Sequence, residues 1–293
     1  MPVIYDITLE IGYSYERAAG SSRTLLRMLP PTRVDQQLLS GALTISPAPD
    51  FRLDRTDFFG NAVTEVAHTA PVQDTTFRFQ GRVRRSPAIN PMDLSCPYDR
   101  LPSDLAATRS IDPLSPHHFL GRSERVNPGG DIADFAQSLA EPGMTTRAVV
   151  KALSTRLHSE MAFDPVATEV TTPPEEAFRA RRGVCQDFSH IAISALRTLG
   201  IPAGYVSGFL RTSPPPGQER LEGADAMHAW VRAWCGAETG WVEIDPTNAI
   251  WAEEDHIVVA TGRDYADVAP VKGSLRATGG QKSTHSVDVV PVD

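Results

Sequence analysis

The chain of 293 residues is poor in cysteine, with only Cys96, Cys185 and Cys235. Three thiols, odd in number and far apart, do not form a disulfide framework. At least one is unpaired within the chain, and a reducing, cytoplasmic setting is the expectation. Positive charge is also short: Lys and Arg total 28 against 36 Asp and Glu, a net −8. That balance argues against non-specific nucleic-acid binding and against a polybasic membrane anchor. No apolar run approaches the ~20 residues that a bilayer crossing needs. At the start, MPVIYDITLE puts Asp6 and Glu10 where a signal peptide has a basic and then an apolar stretch. Around Cys96, His117 and His118 there is no C-x-x-C or H-x-x-x-H spacing, so no metal-ligand pattern stands out there. No internal repeat is visible. These absences leave one question, which is whether any of the three thiols does chemistry.

Hydrophobic residues make up 41% and charged residues 22%, a globular mix. The length exceeds the ~250 residues at which a single core stops growing, which predicts two domains. Residues 1–84 read as short β-strands with turns between them, an N-terminal all-β sandwich. Tyr5, Ile7, Leu9 and Ile11 alternate with polar residues, and further strands are predicted over 22–28, 36–45, 62–66 and 75–83. Residues 85–130, rich in Pro, Ser, Asp and Arg, read as a connector over the surface. From 131 to 293 an α+β domain is expected. Helical stripes run through Ile132 and Phe135, then Val149 to Met161 behind a Thr145 or Thr146 cap. A short helix opens at Pro173-Pro174, and a stronger one follows Cys185 with Phe188, Ile191, Ala192, Ala195, Leu196 and Leu199 on one face. Strands are expected over 203–210, 227–235, 240–245 and 256–260.

Chemistry concentrates in this last part. Cys185 stands at the start of a buried amphipathic helix, where unpaired N–H groups and the helix dipole favour a thiolate and can donate to an oxyanion. A buried, inert packing cysteine fits the same position. His228, Trp230, Arg232 and Trp234 share one face of a period-2 strand, and Trp241, Glu243 and Asp245 share one face of the next. A four-residue loop over 236–239 would set Cys235 opposite Gly240 and Asp245 diagonal to His228; an odd loop would separate the two. An Asp so placed fixes the tautomer of a His and stabilises its cation. Cys235 falls on the other face, as a packing residue would. Asp187 and His190 lie near the thiol, His190 reading as a surface imidazole. Arg263, Asp264, Tyr265 and Asp267 order a loop or touch substrate.

RRGVCQDFSH, DAMHAWVRAW and GWVEIDPTN together resemble the transglutaminase-like superfamily of papain-fold cysteine enzymes. The resemblance extends to HIVVATGRDYADVAPVKG (256–273) and to the N-terminal β region, and so covers nearly the whole chain. It implies Cys185 as nucleophile, His228 as general base and acid, and Asp245 as the orienting residue, with no cofactor and no metal. The implied substrate is a peptide or protein. The first step is acyl transfer from an amide, ending in hydrolysis or, alternatively, in amine transfer. No Trp precedes position 230, and Arg179 stands where papain-type enzymes carry an oxyanion-binding Gln. Gln186 and Trp230 are therefore candidate oxyanion or substrate contacts. A non-catalytic scaffold, and a metal held by Cys185, His228 and Asp245, are the competing readings. The proline-rich 212–224 loop is expected to shape the cleft.

Overall fold

The alternation of Tyr5, Ile7, Leu9 and Ile11 buries one face of a strand that does not stop where the sequence suggests. β1 runs from Val3 to Leu26 and merges two expected strands, with an irregularity between Ser14 and Ala19. The computed structural model describes residues 2–86, 92–212, 225–276 and 279–292. β2 (Gln36–Ser46), β3 (Phe51–Thr56), β4 (Ala62–His68) and β5 (Val72–Arg85) complete the N-terminal strands. They form two antiparallel leaves that share β1, in the order β2-β5-β1-β4-β3.

α1 (Leu101–Ala107), α2 (Gly130–Gln137), α3 (Thr146–Glu160), β6 (Ala162–Phe163), α4 (Pro174–Ala180) and β7 (Arg182–Gly183) lead to α5 (Cys185–Thr198). Then come β8 (Ala203–Leu210), β9 (Ala226–Trp234), β10 (Trp241–Asp245), β11 (Ile250–Trp251), β12 (His256–Gly262) and α6 (Tyr265–Val268). The second sheet is five-stranded, in the order β11-β10-β9-β8-β12. The apolar stripe of α5, Phe188, Ile191, Ala192, Ala195 and Leu196, is buried in one core with Ala229, Val231 and Ala233 of β9. This is an α+β fold with a β-rich N-terminal region. No helix among the described residues is long and apolar enough to cross a membrane.

Two expectations about domain limits give way. The described part of 85–130 is not a connector draped over the surface, because Leu101, Leu105 and Val126 enter the core under α5. Cys96 packs so closely that a Cβ on Gly236 would sit 2.7 Å from its sulfur. The unit expected over 131–293 also breaks near its end. β13 (Val271–Arg276) and β14 (Gln281–Val292) return to pair antiparallel with β1, so they belong to the N-terminal leaves.

The two parts are tied along β12, the edge strand of the second sheet. An open edge leaves backbone N–H and C=O groups without partners. Here two side-chain amides from the N-terminal region supply them. Gln36 bonds both the N–H and the C=O of Val258 at 2.8 Å, and Asn61 does the same for Thr261. Phe209, Ile257 and Val259 share a core with Tyr5, Ile7 and Phe79.

Candidate active site

Cys185 is the first residue of α5, and the chain just before it is fixed by Asp187. The Asp187 carboxylate accepts from the Val184 N–H at 2.8 Å and from the Thr168 hydroxyl at 2.6 Å. Burial pushes this carboxyl up in pKa, and those two bonds oppose the shift. The Val184 carbonyl takes the Asp187 N–H at 2.9 Å, which leaves the N–H groups of Cys185 and Gln186 as the first-turn donors without an intrahelical partner. Its side chain is partly exposed, unlike the buried Cys235.

The β9–β10 hairpin has the even register. Trp234 pairs with Trp241, and the Cys235 N–H donates to the Gly240 carbonyl at 2.8 Å. His228 and Asp245 consequently meet: His228 Nε2 donates to Asp245 Oδ2 at 2.7 Å. The Cys185 thiol lies close enough to His228 to act on its titration. Burial would push the His228 pKa down, but Asp245 and Cys185 outweigh it and raise it to about 10. Asp245 is fully buried. Burial alone would raise its pKa, yet donors from His228, His256 and Asn248 hold it well below the usual carboxylate range. Its Oδ1 accepts from the N–H groups of Thr247 and Asn248 at 2.9 and 3.2 Å, and its Oδ2 from Asn248 Nδ2 at 2.7 Å.

The structure therefore brings Cys185, His228 and Asp245 together. It does not bring the two auxiliary candidates to the thiol in the expected role. Gln186 gives its amide to the Val170 carbonyl at 3.0 Å and tethers the turn ahead of α4. Trp230 is fully buried among Val206, Ala252 and Val258 and donates its indole N–H to Glu243 at 2.8 Å. A side chain with no exposed surface cannot touch substrate; Trp230 backs His228 from inside. Arg179 pairs with Asp131 at 2.7 Å and faces solvent. The 213–224 part of the expected cleft loop lies outside the described residues.

His190 is not a surface imidazole. It is buried, accepts from the Tyr265 N–H at 3.2 Å, and burial pushes its pKa down to about 4. Arg263 and Asp267 pair at 2.8 Å, and Asp264 caps α6 and accepts from the Arg125 N–H at 2.6 Å. These groups order the loop after β12.

Sequence reasoning missed His256. It is buried, and its Nε2 lies 3.3 Å from Asp245 Oδ2. The residue opens a predicted strand, where a histidine carries no signal without the fold. It also missed Glu243, which receives the Trp230 indole and pairs with Arg33 of the N-terminal region at 2.6 Å. His228, Asp245 and His256 are the described residues whose donor atoms cluster closely enough to hold a cation. Both imidazoles already bond one carboxylate oxygen, so the set is committed to itself.

Residues 133–246 match the model of the transglutaminase-like superfamily, and residues 5–84 match the bacterial transglutaminase-like N-terminal region. An uncharacterized protein of Mycobacterium tuberculosis is 33% identical over 308 residues, covering 99% of this chain and 93% of its own. One of Mycobacterium leprae is 31% identical over 272 residues, covering 92% and 91%. Among solved structures, a candidate cysteine protease from Cytophaga hutchinsonii shares the fold with a TM-score of 0.70 at 18% identity, over 100% of this chain and 92% of its own. The chain belongs to the transglutaminase-like superfamily, with the bacterial transglutaminase-like N-terminal region ahead of its core.

Proposed function

We propose that the protein is a cysteine-dependent acyl-transfer enzyme acting on amide bonds of peptides or proteins, with hydrolysis as the outcome. The observation that carries the reading is the Cys185–His228–Asp245 arrangement: a helix-start thiol beside an imidazole that is bonded to a buried carboxylate. A His228 pKa of about 10 keeps the imidazole cationic at neutral pH, the partner that a thiolate nucleophile needs. Cys185 Sγ then attacks the amide carbonyl carbon, and a first-turn N–H of α5 donates to the oxyanion. His228 gives its proton to the leaving amine as the C–N bond breaks, leaving a thioester on Cys185. Water attacks the thioester carbonyl, His228 takes a proton from that water, and the C–S bond breaks to release the acid. Asp245 keeps the imidazole oriented and stabilises its cationic form throughout.

An amine in place of water gives transglutamination by the same first half, and membership of the superfamily keeps that acceptor in view. The three free cysteines suit a reducing, cytoplasmic setting. Incubation with a peptide library, followed by mass spectrometry of protein and products, tests the proposal. An acyl adduct on Cys185 that is absent from Cys185→Ala is expected, with product masses gaining water or an amine. Turnover by Cys185→Ala equal to that of the native chain would sink the reading.

A further inference from the structure

We infer that His256 is a positioning residue for the proposed reaction: it shares the Asp245 carboxylate with His228 and holds that carboxylate in the orientation His228 needs. The inference rests on the acyl-transfer reading of the same site. Its basis is geometric. The Glu253 N–H donates to His256 Nδ1 at 3.4 Å, so Nδ1 is the accepting nitrogen and Nε2 carries the proton. That proton points to Asp245 Oδ2, 3.3 Å away, the same oxygen that accepts from His228 Nε2 at 2.7 Å. The His256 ring cannot easily turn away. It packs edge-on against the Trp230 ring at 5.1 Å between centroids, and it is buried.

Its backbone is fixed from the N-terminal region. Arg85, itself buried and ion-paired with Asp35, donates Nε–H to the His256 carbonyl at 2.8 Å. Two positions further along β12, Gln36 bonds the backbone of Val258. The route from the N-terminal leaves towards the thiol is therefore Arg85, His256, Asp245, His228, each link a hydrogen bond, with Cys185 beside His228 at its end. This gives the N-terminal region a role in the chemistry beyond being a neighbour, since it holds the strand whose first residue aims at the triad.

The groups that face His228 are Asp245 from β10, Cys185 from α5 and the His256 ring from β12, with Trp230 behind it. Burial works against the His228 cation and the Asp245 bond works for it. A carboxylate that loses one of its anchors turns from His228 and supports its cation less. The test compares His256→Gln, whose amide nitrogen replaces the donor at the Nε2 position, with His256→Asn, whose shorter amide falls short of Asp245. The readout is the NMR titration of the His228 ring, which does not depend on any substrate, alongside kcat and KM on a peptide found to react with the native protein.

The native His228 midpoint is expected near 10. His256→Asn should lower it by about one unit or more, and reduce kcat roughly tenfold to a hundredfold with KM little changed, the scale seen when a partner that orients a metal-bound imidazole is removed. His256→Gln should restore both. A native midpoint near 10 with both variants unshifted, or shifted equally, overturns the role of His256 and leaves the acyl-transfer reading intact. A native midpoint near the ordinary 6.5 instead removes the thiol–imidazole pairing on which both rest.

Discussion

Gly183 and Asp187 occupy the same space: a Cβ on residue 183 would lie 2.5 Å from Asp187 Oδ2 and 2.8 Å from its Cβ. Asp187 anchors the turn that presents Cys185, so the glycine two residues before the thiol is a requirement of the site. Gly183→Ala should displace the carboxylate, destabilise the fold by about 1–3 kcal/mol as overpacking does, and slow alkylation of Cys185. Urea melts and timed iodoacetamide labelling check this. Unchanged labelling in the variant would show that the turn does not depend on Asp187.

The three thiols should differ sharply in reactivity. Burial raises the pKa of Cys96, a shift its bond to Thr146 partly opposes, and raises that of Cys235 further. Cys185 is partly exposed and lies beside the His228 cation. Limiting iodoacetamide at pH 7 should label Cys185 before the other two, by peptide mapping. Equal, slow labelling of Cys96 and Cys185 favours the scaffold reading.

Asp245→Asn removes the carboxylate that supports the His228 cation. The sign follows from the raised value. A His whose folded pKa is about 10 contributes stability that is fully present below its unfolded value of ~6.5 and lost as pH rises through about 10. Native protein should therefore lose urea resistance between about pH 7 and 10, and the variant should lack that decline. Activity should fall by roughly 10³ to 10⁴, the cost of losing an orienting carboxylate. A variant that keeps the alkaline decline would assign it to another group.

On the acid side the same carboxylate acts in the opposite sense. Its folded pKa is depressed, so its contribution is present above the ordinary value near 4 and lost as pH falls below it. Native urea midpoints should drop on acidification below pH 4, and Asp245→Asn should be the flatter of the two. Parallel acid limbs would contradict the depressed pKa.

Arg33 reaches from the N-terminal region to Glu243, whose side chain is 10% exposed and also takes the Trp230 indole. Arg33→Met strands that carboxylate. The cost should be about 3 kcal/mol, at the low end for a broken buried pair because Arg33 keeps some contact with water. Urea denaturation measures it, and a change below about 0.5 kcal/mol, the range of ordinary surface substitutions, would mean that the pair contributes nothing across the junction.

Much of this site could be read from local patterns. The period-2 faces of β9 and β10 and the four-residue loop between them fix Asp245 diagonal to His228, and the 3.6-residue stripe behind Cys185 sets the thiol at a helix start. What escaped the sequence depends on contacts distant along the chain. His256 gains its meaning only when β12 is placed beyond β8, and Trp230 looks like a site residue until Val206, Ala252 and Val258 close around it. His190 follows the same logic. Its helix position fits a surface imidazole, but Tyr205 and Tyr265 cover it. The length of β1 was hidden because a strand that changes partners half-way looks like two strands.

The pairing of β1 with β14 also sets the order in which the molecule comes to exist. β1 is synthesised before the other strands, yet Ile4 to Tyr15 find their partners on that side only in residues 281–292. Everything from β2 to β13 must leave the ribosome before that edge closes. A nascent chain therefore carries an unpaired strand edge while β2 to β13 are being made, the kind of edge that recruits other strands. Closing it joins the two most distant parts of the fold, a slow kind of contact to form. Because β13 and β14 follow β12 and α6, the N-terminal leaves are completed only after the strands that carry His228 and Asp245 have been made.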